Sequence, residues 1–276
     1  MPDAYTNYPP KAMGIALKEI KDLQVFIDLC MEGLEYPKLA ALIHDKFGDL
    51  LKPERTPTDN ERMERLKLLE DFASEQAKRG FPYLHCLALV RLWTILEVYI
   101  QDIIVWTLSN ISEVRELSSI RKIKGPLIEF SSASLQRQSE FIVNVLYDDL
   151  SARLKRGVGR FEDVLNVINL GGSIEDNVRK YILEIAEIRN IIVHNNGFVD
   201  DKFINNCPWL SYNVGDPILI SNAQYLRYFF AVSWYIIEID IRHSLRYPPE
   251  HPEKFVSIER TRELQGRMLK GVYRAG

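Results

Sequence analysis

Apolar residues recur at helical spacing along most of the chain, and breaks rich in proline and glycine separate the runs. Residues 11–30 (KAMGIALKEIKDLQVFIDLC) and 36–51 (YPKLAALIHDKFGDLL) both show this period. The polar stretch KPERTPTDN, residues 52–60, interrupts it with two prolines, and a charged helix is expected over about 60–78. Gly80, Phe81 and Pro82 break the chain again before a long apolar helix at about 83–109. From Ile111 to Ser134 the pattern is irregular, with a turn at Gly125-Pro126. Helices are predicted over about 135–156 and 160–169, ended by Gly157 and Gly159 and by Gly171-Gly172. Ser173-Ile174-Glu175-Asp176 reads as an N-cap with acid in the first turn of a helix that runs to about His194. Asn195-Asn196-Gly197 stops that helix.

Residues 198–220 read as loop with at most a short β-hairpin near 210–220, including an extended Pro217–Ile220 after Gly215-Asp216. Ser221 or Asn222 is suited to cap a last long helix through about Leu245. Pro248, Pro249 and Pro252 end it, and the tail from Phe255 can add a short basic helix. The fold class expected is all-α, an antiparallel helical bundle. Its expected parts are an N-terminal helical extension (1–80), a main helical domain (81–247) and a C-terminal tail (248–276).

Composition narrows the function classes. The 276 residues are 46% hydrophobic and 26% charged, as in an ordinary globular chain. Net charge is −3 and the pI about 6.0, so no global basic field advertises nucleic-acid binding, and any such contact must come from a local patch. Cys30, Cys86 and Cys207 are few, distant and odd in number, which supports neither a disulfide framework nor a zinc knuckle. A reducing cytoplasm is the expected location. The opening MPDAYTNYPPKAMG has no basic region followed by an apolar run, so no secretory leader is expected there. The apolar stretches Leu84–Leu108 and Tyr225–Ile241 each carry several charges, which favours buried helices over membrane spans.

The candidate chemistry lies on the helix ending at His194. On a wheel at about 100° per residue, Val178, Ile182, Ile185 and Ile192 form one stripe. Arg189 falls inside it, where a guanidinium needs partners or an interface. Glu187, Asn190 and His194 share another face. RNA cleavage by the neighbouring 2′-hydroxyl requires a base, an acid and cationic stabilisation of the phosphorane. Histidine titrates in the right range for the first two tasks, and arginine forks onto phosphate for the third. Neither needs a metal or other cofactor. An Arg followed by a nearby His also occurs at Arg79/His85 and Arg246/His251, but Gly80 and Pro82 interrupt the first segment and Pro248 and Pro249 the second.

The string Glu187-Ile188-Arg189-Asn190-Ile191-Ile192-Val193-His194 resembles the signature of the HEPN-domain superfamily, of the RiboL-PSP-HEPN-like kind. There an Arg, commonly followed by Asn, Asp or His, precedes a His by four to six residues near the end of a core helix. LVRLWTILEVYIQDII, with Trp93 and Glu97, is similar to the first long helix of that bundle. Phe161–Leu165 and Gly215–Ser221 also fit relatives, so the likeness covers about 83–246. It implies a HEPN-like bundle, a homodimer through the Arg189/His194 helix, and metal-independent endoribonuclease activity in toxin, phage-defence or RNA-processing roles. Arg189 would hold phosphate, His194 would act as acid or base, and Asn190 would orient the substrate. Glu97 and Glu187 would support the site. Asn196 stands where one toxin branch has a tyrosine two residues after the His, so control by modification there is not expected.

Two basic runs could supply an RNA track, Arg121-Lys122-Ile123-Lys124 and the Arg153, Lys155, Arg156, Arg160 cluster, although each also suits a solvated face. The aromatic run from Tyr225 to Tyr235 suits core or dimer packing. The other histidines, His44, His85, His243 and His251, lack metal-ligand spacing, and no GxxxxGK[ST], GxGxxG or GxSxG pattern occurs. The competing expectation is a non-catalytic HEPN-like module that binds RNA or protein. In it Arg189 would pair with a buried carboxylate and His194 would close the helix end. An antitoxin or defence-system partner belongs to the first expectation, and a membrane to neither.

Overall fold

The computed structural model describes residues 9–34, 57–124, 127–151, 156–248 and 257–274, with Tyr36, Leu39, Ile43 and Lys46 as single helical positions. Most of the helix expected at 36–51 and the turn at Gly125-Pro126 lie outside these residues. The fold is an all-α bundle. Its helices are α1 (Pro9–Gly33), α2 (Pro57–Lys78), α3 (Pro82–Asn110), α4 (Ser112–Arg115), α5 (Ser118–Arg121) and α6 (Leu127–Ser132). They continue with α7 (Leu135–Ser151), α8 (Val158–Val167), α9 (Asp176–His194), α10 (Asp201–Asn206), α11 (Asn222–Arg246) and α12 (Ile258–Arg274). Extended pairing among the described residues amounts to one antiparallel bridge, Phe198 to Pro217.

Two long apolar helices, α3 and α11, form the centre and run in the same direction. His85 stacks on Tyr225, the Tyr99 hydroxyl donates to the Ile236 carbonyl, and His243 meets the Thr107 hydroxyl at 3.1 Å. Helices α1, α7, α9 and α12 run against them. Arg91 pairs with Glu19 of α1, and Ser109 donates to Ser139 of α7. Tyr228 of α11 reaches Glu184 of α9, while Arg242 near its other end reaches the Ser173 carbonyl just before α9. On α12, Gln265 bonds Glu238 and Gly271 lies against Phe230. Met13, Ala16, Ile20 and Ile27 of α1 and Val272 of α12 belong to the same hydrophobic cluster as α3, α9 and α11. The stretches at either end of the chain therefore share the central core.

The ends of the helices follow local chemistry. Ser221 caps α11 through a reciprocal box with Gln224. The N-cap position of α9 is Glu175, which makes no cap bond of its own. Its carboxylate accepts instead from the Tyr273 hydroxyl of α12, which ties that helix to the start of α9. At the other end Asn196 and Gly197 both take positive φ, 49° and 80°. The Gly197 amide donates back to the Ile191 carbonyl at 3.0 Å, which turns the chain sharply after His194. No helix among the described residues is long and apolar enough to cross a membrane.

Candidate functional site

The loop and helix before the motif are held by a saturated ionic network. Arg242 on α11 donates to both Glu162 oxygens at 3.0 and 3.1 Å, to Glu238 at 2.8 Å and to the Ser173 carbonyl at 2.8 Å. Glu162 also accepts from the Tyr235 hydroxyl at 2.6 Å and from the Gly172 amide at 2.7 Å. The Arg242 and Glu162 side chains are only 12% and 11% exposed, so this pair is a desolvated one whose hydrogen bonds are filled. It clamps the 170–173 loop onto α8 and α11 and so fixes where α9 begins.

Along α9, Val178, Ile182 and Ile185 are fully buried, as the wheel predicts. The buried side then shifts. Glu184 and Glu187 are 3% and 4% exposed because α10 and Trp209 fold over them. Trp209 Nε1 donates to Glu184 at 2.5 Å and the Tyr228 hydroxyl at 3.0 Å, and Asn206 donates to Glu187 at 2.9 Å. Burial raises the pKa of Glu184, while these two donors to it, with Lys180 and Arg227 nearby, oppose the rise.

At the end of the helix Ile188 and Ile191 face the core. Arg189, about 160° round the helix from Ile191 at 100° per residue, is half-buried rather than enclosed. Its Nη1 donates to the Asn190 Oδ1 at 3.3 Å, and no carboxylate pairs with it among the described residues. Val193 beside it is 48% exposed, and His194 is exposed. The helix thus ends in a half-covered guanidinium, a carboxamide and an open imidazole.

The other expected site residues are placed as follows. Glu187 faces away from Arg189 and takes Arg156 as its ionic partner at 3.7 Å. Glu97 meets Arg160 at 4.0 Å, and the Arg160 guanidinium lies 5.4 Å over the Tyr147 ring. Because α3 and α9 are antiparallel, Glu97 lies toward the Leu183 level of α9, where Gly157 abuts, and away from His194. Two of the expected cations are therefore engaged with the two expected supporting acids. Arg121 pairs with Glu116, while Lys122 and Lys124 are exposed. Arg153 and Lys155 lie outside the described residues.

Sequence reasoning did not single out the Arg242–Glu162 network, whose members are 80 residues apart. Nor did it place the cations of α12, although Arg267, Lys270 and Arg274 recur at i, i+3 and i+7 within the tail that it reads as basic. No group of His, Cys, Asp or Glu suited to hold a metal occurs among the described residues. Comparison with family models, with curated proteins and with solved structures gives no match to this chain.

Proposed function

We propose that this protein is a metal-independent endoribonuclease of the HEPN type. The observation that carries the reading is the end of α9, where Arg189 has only the Asn190 carboxamide as partner among the described residues and His194 stands open to solvent. Five residues of helix separate the two side chains by about 140° and about 7.5 Å of rise. One chain offers a single exposed imidazole at this helix end, whereas the cleavage takes both a base and an acid. A second copy related by two-fold symmetry supplies the missing group, which makes the site composite.

In this mechanism the 2′-oxygen attacks phosphorus as one His194 takes its proton. The P–O5′ bond breaks, and the His194 of the other copy delivers a proton to the leaving 5′-oxygen. The products are a 2′,3′-cyclic phosphate and a free 5′-hydroxyl. Arg189 binds the non-bridging oxygens as charge gathers on them, and Asn190 holds the guanidinium and orients the strand. A toxin or phage-defence role in the cytoplasm, with an antitoxin or defence-system partner, belongs to the same proposal. The test is cleavage of a single-stranded RNA in excess chelator by the wild-type, His194→Ala and Arg189→Ala proteins. Cyclic-phosphate ends that vanish in both variants support the reading, and cleavage equal in all three overturns it.

A second reading draws on the ion pairs of Arg156 and Arg160. Cations neutralised by Glu187 and Glu97 bind RNA less readily, as a protein-interaction scaffold would allow. It predicts a dimer or a partner complex with no cleavage at any RNA concentration.

A further inference from the structure

Arg267, Lys270 and Arg274 project from one face of α12, within about 60° of one another at 100° per residue. Arg260 falls on the same stripe, with Glu263 as its one acid. All four cations are exposed, and none of them has an ion-pair partner among the described residues. Three of them rim a shallow groove against α11 whose floor is Leu226 and Phe230. Gly271 makes the groove possible, because a Cβ there would stand 2.6 Å from the Phe230 ring. The helix can therefore settle directly on the aromatic side chain, leaving the long cations to flank it.

This contrasts with the basic run around Arg156 and Arg160, where acids and an aromatic ring already engage the guanidinium groups. In a chain of net charge −3, an unneutralised cationic stripe is a local exception. Its chemistry suits a polyanion. A membrane surface suits it less, since insertion needs the apolar side of the helix, and Val272 on that side is 1% exposed in the core. The groove lies apart from the proposed site. Leu226 and Phe230 stand on the side of α11 away from Tyr228, which faces α9, and α12 touches α9 at Glu175, about 28 Å of helix rise from His194.

We infer that the α12–α11 groove binds the phosphate backbone of single-stranded RNA, taking the substrate class proposed above, as a holding surface separate from the end of α9. Arg267, Lys270 and Arg274 each neutralise one phosphate, and no base is read there. The groove thus contributes affinity, and the end of α9 contributes chemistry.

The test uses the full-length protein and a fluorescein-labelled single strand carrying 2′-O-methyl riboses, which this mechanism cannot cleave. Binding is followed by anisotropy from 50 to 300 mM salt. The triple variant Arg267→Gln/Lys270→Gln/Arg274→Gln is expected to bind about 10- to 100-fold more weakly. Its slope of log affinity against log salt should fall by about 2, at roughly 0.7 per phosphate contact. A variant with Arg267→Lys and Arg274→Lys should keep the slope, and thermal melting checks that all forms are folded. An unchanged affinity and slope in the glutamine triple overturn the groove, as does wild-type protein that fails to bind the strand. Equal loss of binding to vesicles rich in anionic lipid, with no effect on RNA, overturns it in favour of a membrane. Cleavage of ordinary RNA, measured alongside, separates the two proposals. Groove-dependent binding with no cleavage overturns only the nuclease reading, and cleavage with unchanged binding in the triple variant overturns only the groove.

Discussion

Arg242 and Arg189 stand near the C-terminal ends of two packed helices, and they show two uses of one side chain. Arg242 is enclosed and has carboxylates and carbonyls at every donor direction that the loop before α9 offers. Arg189 is half-buried and bonded to one neutral neighbour. A guanidinium whose donors are filled organises structure. One whose donors are largely open is available to an anion from outside. The contrast assigns the first arginine to folding and leaves the second open to the ligand role proposed for it.

The largest effect expected from this contrast is on chemistry. Removing His194 or Arg189 should lower RNA cleavage by about 10²- to 10⁴-fold, the range for a positioned acid–base group or an electrostatic donor. Melting temperature should stay close to that of the parent, since neither group is enclosed. A parallel collapse of stability would place Arg189 in the same class as Arg242 and break the comparison.

The converse change should leave the Glu162 carboxyl buried and short of its cation. Arg242→Met is expected to cost about 3–5 kcal/mol of stability, measured by urea unfolding. Arg189→Met should stay within about 0.5 kcal/mol of the parent. Similar losses in the two would mean that exposure does not separate their roles.

How much of this was legible in the sequence depends on the distance over which each feature acts. Helical period and local breakers reported the long helices, the stop at Asn195-Asn196-Gly197 and the Ser221 cap, because each is a matter of neighbours in the chain. The wheel of α9 located the buried Val178, Ile182 and Ile185 but enclosed Arg189 with them. It assumes one covered side along the whole helix, whereas α10 and Trp209 cover the Glu184 and Glu187 side near its end. The partners of Glu97, Glu187 and Glu162 come from other helices, and no spacing rule reports them. A motif could thus name Arg189 and His194, while their exposure and the neutralisation of Arg156 needed the fold.

Two residues before Arg242, Asp240 sharpens the same contrast inside the core. It is 3% exposed, and its Oδ1 has no hydrogen-bond partner among the described residues. Burial lifts its pKa to about 7. Because the folded value lies above the unfolded one, its stabilising share is complete below about pH 4 and is lost as pH rises through 7. Asp240→Asn should therefore raise stability by a few kcal/mol at pH 8 and flatten the profile between pH 4 and 8. Denaturant midpoints across that range give the measurement. An unaltered slope would show that Asp240 finds compensation that Arg242 does not supply.

The smallest effect tests how the saturated region and the open helix end are joined. Gly157 begins α8 at φ 53° and ψ −132°, a conformation that side chains other than glycine rarely adopt. A Cβ there would lie 2.9 Å from the Leu183 Cα of α9, so backbone, not a movable side chain, blocks it. Gly157→Ala should cost about 1–3 kcal/mol from the dihedral alone, with further loss as α8 moves off α9. That movement would also pull Arg156 from Glu187, exposing a carboxylate two residues from Arg189. RNA cleavage should then fall by only a few-fold under conditions where the variant is folded, because Arg189 and His194 keep their helix. A loss as large as that of His194→Ala would mean that the Arg156–Glu187 pair belongs to the site, and that the boundary between the structural and the open arginine lies one turn earlier in α9.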